Sequence, residues 1–148
     1  MTGAASTAVT AEPGAIARTC IGTPYRHQAR GRGAGADCLG LVLGVWRELY
    51  GDLPRGLPGY TADWAEAAGD ERMWAAARTH LRETDAPLAA GQVLLFRMRK
   101  GAIAKHLGIV STAAPVPRMI HAYSGHDVVE SVLTPPWLRK VVAQFEFP

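Results

Sequence analysis

The sequence changes period along its length. Up to Leu81 the apolar residues recur at three- and four-residue steps. From Gln92 onward they fall into short β-rich runs parted by Gly, Pro and Asp. A chain that places helices first and strands second is confined to an α+β domain. The β-rich runs Gln92–Arg99, Leu107–Ser111, Arg118–Tyr123, Val128–Leu133 and Lys140–Phe147 predict an antiparallel meander. The sharpest helix signal starts at Asp37, where Leu41, Val42, Val45, Trp46, Leu49 and Tyr50 form one stripe and Gly51 stands where the helix should stop. A shorter helix is predicted from Pro13 to Ile21, with Ile16, Cys20 and Ile21 on one face and Gly22 ending it. Two more are predicted between Thr61 and Leu81, broken at Gly69-Asp70, the first carrying Trp64 and the second Met73, Trp74, Ala77 and Leu81. Gly22 to Gly35 and Gly51 to Gly59 read as loops.

With 148 residues, 48% of them hydrophobic, the chain has the core of a single domain spanning 1–148, with residues 1–12 expected to be mobile. No stretch approaches the roughly 18 consecutive apolar residues of a bilayer span, so membrane insertion is not expected. Met1 to Glu12 lacks the basic start and apolar block of a secretory signal, so work at the envelope would need another delivery route. A net charge of +3, with basic residues scattered except for Arg26, Arg30 and Arg32, does not predict a direct nucleic-acid partner. Two cysteines, Cys20 and Cys38, make neither a disulfide framework nor a zinc site.

Cys38 follows Asp37 at the head of the strongest helix, after the glycine-rich loop Gly31 to Ala36. In a first helical turn the unsatisfied N–H groups and the dipole favour thiolate, which suits a nucleophile; the alternative is a small buried hydrophobe. A cysteine nucleophile needs an imidazole base held by a third group. His106 heads the run His106-Leu107-Gly108-Ile109-Val110, where Gly108 leaves space. His121 sits within the next run, and neighbouring antiparallel strands can set the two side by side. Each can equally be a structural histidine. His27, His80 and His126 read as loop or exposed residues. Trp46, Trp64 and Trp74 fit core positions better than sugar platforms, while Trp137, in Thr134-Pro135-Pro136-Trp137, is expected to be exposed. Cys38, His106 and His121 together lack metal-site spacing, so neither a metal nor an organic cofactor is expected.

The series Gly22-Thr23-Pro24-Tyr25-Arg26, Gly33 to Val42 around Asp37-Cys38-Leu39-Gly40-Leu41, His106 to Val110 and Ile120-His121-Ala122 resembles the NlpC-type papain-like cysteine peptidases of cell-wall hydrolysis. With Arg26-His27, Trp46 to Gly51 and the Glu130-Ser131 to Pro148 stretch, it looks most like the subgroup of phage tails and gene transfer agents. The resemblance implies a papain-like α+β fold, N-terminal helices packed on an antiparallel sheet. It implies Cys38 as nucleophile, His106 as general base and then acid, and His121 as the residue that orients His106. Tyr25 would be a hydrogen-bond donor near the nucleophile or substrate, and Asp37 a supporting residue. The expected substrate is the peptidoglycan stem peptide, cut between D-glutamate and the diamino acid. The expected partners are tail hub or baseplate proteins of a phage-like particle, assembled in the cytoplasm and acting at the envelope. The alternative is a tail adaptor or plug with weak or no peptidase activity, using Thr134 to Pro148 as a partner surface. Three positions depart from many relatives: Leu39, which the phage-type subgroup shares, Gln92 and His27. Gln92 puts a local turn or substrate-side interaction in question, and His27 the groove wall.

Overall fold

A computed structural model describes residues 12–24, 30–31, 35–55, 71–123 and 126–148. Its elements in order are α1 (Pro13–Arg18), β1 (Arg30–Gly31), β2 (Gly35–Ala36), α2 (Cys38–Tyr50), α3 (Arg72–His80), β3 (Arg82–Thr84), β4 (Val93–Phe96), β5 (His106–Thr112), β6 (Arg118–Ala122), β7 (Val128–Val132), α4 (Pro135–Leu138) and β8 (Val141–Glu146). Helices pack on an antiparallel sheet, as the change of period predicts. The sheet is not a plain meander. Its order is β3-β8-β4-β5-β6-β7, because the last strand crosses back to lie between β3 and β4. A second departure is the β1–β2 pair inside the glycine-rich stretch expected to be loop.

Alternation along the strands builds two cores. Val93, Leu95, Leu107, Ile109, Ile120 and Phe145 meet α2, with Leu39, Val42 and Val45 pressed against them. Leu94, Phe96, Val110 and Met119 form the opposite face, covered by Leu133, Trp137 and Met98. Both faces of β4 are therefore buried, which is why Val93-Leu94-Leu95-Phe96 is continuously apolar instead of alternating.

The helix that carries Cys38 is capped at both ends. Asp37 is its N-cap, with Oδ1 accepting from the Gly40 N–H at 2.7 Å. Gly51 closes it at φ 84°, a left-handed conformation that suits glycine, and donates to the Arg47 carbonyl. In α1, Gly14 and Ala17 are the buried residues and Ile16 and Cys20 are partly buried. Ile21 faces solvent, because the helix ends at Arg18 and the next turn rotates it out. Residues 56–70, with the expected Trp64 helix and the Gly69-Asp70 break, lie outside the described residues; α3 is the second helix expected there.

Gln92 is buried and its side chain bonds to neither imidazole. It donates to the Pro87 carbonyl at 3.0 Å and accepts from Gln144 Nε2 at 3.0 Å, so it ties the turn before β4 to β8. In the Thr134 to Pro148 stretch, Trp137 covers one core and β8 lies within the sheet with Ala143 and Phe145 buried, while Thr134, Pro135, Pro136, Leu138 and Arg139 are exposed. Among the described residues, no helix is long and apolar enough to cross a membrane.

Candidate active site

Strand β5 begins at His106, and β6 runs antiparallel beside it with Ile109 opposite Ile120. His106 and His121 project from the sheet face opposite α2, and His106 Nε2 lies 2.9 Å from His121 Nδ1. On the same face, Gly108 leaves room for a β6 side chain. A Cβ there would stand 2.6 Å from Met119 Sδ and 3.6 Å from His121 Cβ, so the space left by the missing side chain is filled by the methionine sulfur. The pairing expected from neighbouring strands is thus present.

The line continues beyond the two histidines. His121 Nε2 lies 2.9 Å from Ser131 Oγ on β7, a residue the sequence reading did not single out as part of the site. Its signal was faint: a serine two residues beyond the strand position that pairs with His121, on the same face. Around the imidazoles stand aromatic rings: Phe96 at 5.5 Å and Tyr123 at 5.7 Å from His106, with Trp137 at 5.8 Å from His106 and 5.2 Å from His121. Trp137 is therefore a half-buried wall of the site, not the exposed docking residue expected. The two prolines before it start a short helix that turns the indole inward.

Cys38 is the first residue of α2, on the other side of the β5 backbone. Its Sγ is 3.5 Å from the Lys105 carbonyl, and the Leu107 N–H also points to it, so the sulfur meets the strand on both sides of His106. The thiol hydrogen bond goes to that carbonyl and not to the imidazole. The segment before His106 is braced: Arg97 donates to the Ala102 carbonyl at 2.8 Å and to Glu71 at 2.7 Å, while Glu71 accepts from the Ala104 N–H at 2.8 Å.

The electrostatics differ from the expectation of a ready thiolate. Burial pushes the Cys38 thiol up to about 11, and the Asp37 charge adds to this; the N–H groups of Leu107, Leu39 and Cys38 offset only part. Burial, with His121 beside it, takes His106 down to about 3; burial and then the charge of His126 take His121 down to about 4. Burial therefore favours the thiol and the neutral imidazoles over their charged forms. His126 is exposed, as expected, and stacks on Tyr123 at 5.5 Å. His80 ends α3. Tyr25, Arg26, His27 and Arg32 lie outside the described residues.

A cysteine at a helix start, beside an antiparallel strand that begins with one of two paired imidazoles, is the layout of the papain-like α+β fold. The particular version is the NlpC/P60 fold. The NlpC/p60 domain of the peptidoglycan hydrolase SagA is similar at a TM-score of 0.60 and 19% identity, over 93% of this chain and 97% of that one. A protein described as similar to lipoprotein, NLP/P60 family, from Staphylococcus aureus subsp. aureus Mu50, is similar at a TM-score of 0.59 and 19% identity. That match covers 95% of this chain but 41% of the staphylococcal chain. No protein-family model and no curated protein matches the sequence.

Proposed function

We propose that this chain is a cysteine peptidase that hydrolyses the stem peptide of peptidoglycan. The observation that carries the reading is the 2.9 Å pair of buried imidazoles, one of them on the strand whose first residues contact the Cys38 sulfur. The likeness in fold to a peptidoglycan hydrolase domain supports the substrate class.

In this mechanism the thiol turns from the Lys105 carbonyl to His106 Nδ1, the ring nitrogen that His121 does not engage. Proton transfer to Nδ1 accompanies attack of sulfur on the amide carbonyl, since neither a standing thiolate nor an imidazolium is stable in the resting site. The first-turn N–H groups of α2 stabilise the oxyanion. The imidazolium then protonates the leaving amine, and water activated by the same ring releases the acyl group. The bond is the one between D-glutamate and the diamino acid. Delivery by a phage-like tail, with hub or baseplate partners, rests on the subgroup resemblance of the Asp37 to Gly51 and Glu130 to Pro148 stretches.

Release of peptide fragments from purified peptidoglycan tests the reading. Cys38→Ala and His106→Ala are expected to lose about 10³-fold or more in rate, with His121→Ala losing less. Equal release by wild type and Cys38→Ala sinks the peptidase reading.

A further inference from the structure

We propose that Ser131 is a positioning residue that selects, through His121, the tautomer of His106 able to accept the thiol proton. This rests on His106 being the base. Three groups stand in line: His106 Nε2 to His121 Nδ1 at 2.9 Å, and His121 Nε2 to Ser131 Oγ at 2.9 Å. A neutral imidazole carries one proton on two nitrogens, so the line has two arrangements. In the first, His106 Nε2–H donates to His121 Nδ1, His121 Nε2–H donates to Ser131 Oγ, and His106 Nδ1 keeps a lone pair for the Cys38 proton. In the second every proton is reversed, and His106 Nδ1 already carries hydrogen and cannot act as base.

Ser131, itself half-buried, bears on the choice because His121, the ring it bonds, is buried. His121 is 2% exposed, and the first arrangement sends an N–H into that environment. A buried N–H without an acceptor is rarer, and more costly, than a buried lone pair without a donor. Remove the hydroxyl and the first arrangement strands a donor, whereas the second leaves only a lone pair facing carbon. The neighbouring carboxylate does not substitute. Glu130 pairs with Ile120 and so points to the α2 face, where it accepts from Ser111 at 2.6 Å and meets Arg18 at 3.1 Å. The titratable groups beside the two rings are Tyr123 and His126, neither of which replaces the acceptor at His121 Nε2. A neutral hydroxyl also leaves both rings uncharged, which a carboxylate at that point would not.

The test is NMR of the imidazole nitrogens in wild type and in the isosteric pair Ser131→Thr and Ser131→Val, alongside peptidoglycan turnover. Wild type and Ser131→Thr are expected to carry protons on Nε2 of both rings. Ser131→Val is expected to move them to Nδ1, lowering kcat about tenfold with KM unchanged. An Nε2 tautomer retained in Ser131→Val overturns the proposal, as does an Nδ1 tautomer in wild type. The ring signals do not depend on turnover, so a wild type inactive on peptidoglycan would reject the peptidase reading while the tautomer assignment was still decided.

Discussion

At the scale of single residues, Asp37 serves the helix and opposes ionisation of the Cys38 thiol. Its carboxylate caps α2 through the Gly40 N–H, while its charge is one of the causes that raise the Cys38 thiol. The two effects separate by substitution. Asp37→Ala is expected to lose about 1 kcal/mol of stability with the cap. Asp37→Asn keeps an oxygen for Gly40 and is expected to lose less, while lowering the pH at which thiolate absorbance appears. An unchanged thiol titration in Asp37→Asn would show that the carboxylate does not act on the sulfur. Cys38, His106 and His121 were legible as a candidate set because the motif series around them resembles a known family, and the structure pairs the two imidazoles with Cys38 beside the same strand. Ser131, Phe96 and Trp137 were not, since serine and aromatic residues occur for many reasons and only cross-strand neighbours give these ones a purpose.

Among the elements, β5 and β6 are the pair on which the candidate site depends, and at Gly108 a β6 side chain, Met119, fills the space over β5. Gly108→Ala places a methyl where Met119 Sδ now sits at 2.6 Å. Overpacking of this kind costs about 1–3 kcal/mol, and a displaced Met119 sulfur would disturb the packing beside His121. Urea denaturation is expected to show the loss, with peptidoglycan turnover falling further than stability; wild-type values for both would mean that Met119 simply swings aside. The core of each long element was readable from its period, as α2 and the runs that became β4 to β8 show. β3 and α4 were not. Three residues, Arg82–Thr84, form a strand because β8 is there to pair with them, and Pro135–Leu138 coils only as it drops Trp137 onto the imidazoles.

For the molecule as a whole, the buried site sets a pH window of stability. His106 and His121 titrate at about 3 and about 4 when folded and near 6.5 otherwise. Between these values the unfolded chain takes up protons that the folded chain refuses. Their contribution is thus full above pH 6.5 and is lost as pH falls. Cys38 acts in the opposite sense, titrating at about 11 folded against 9.0 unfolded, so its contribution is full below pH 9 and disappears as pH rises through 11. Denaturation midpoints are expected to be level between those limits and to fall on both sides, with the acid limb shallower in His106→Phe. Midpoints flat down to pH 4 would contradict the burial of the histidines. The α+β class, the helix that bears Cys38 and the candidate site side chains follow from the chain alone, because period, capping and residue type are local properties. The return of β8 into the sheet, the hydroxyl at the end of the histidine line, the inward Trp137 and the protonated resting thiol were decided by tertiary structure, because each depends on which distant residues exclude water from the same small volume.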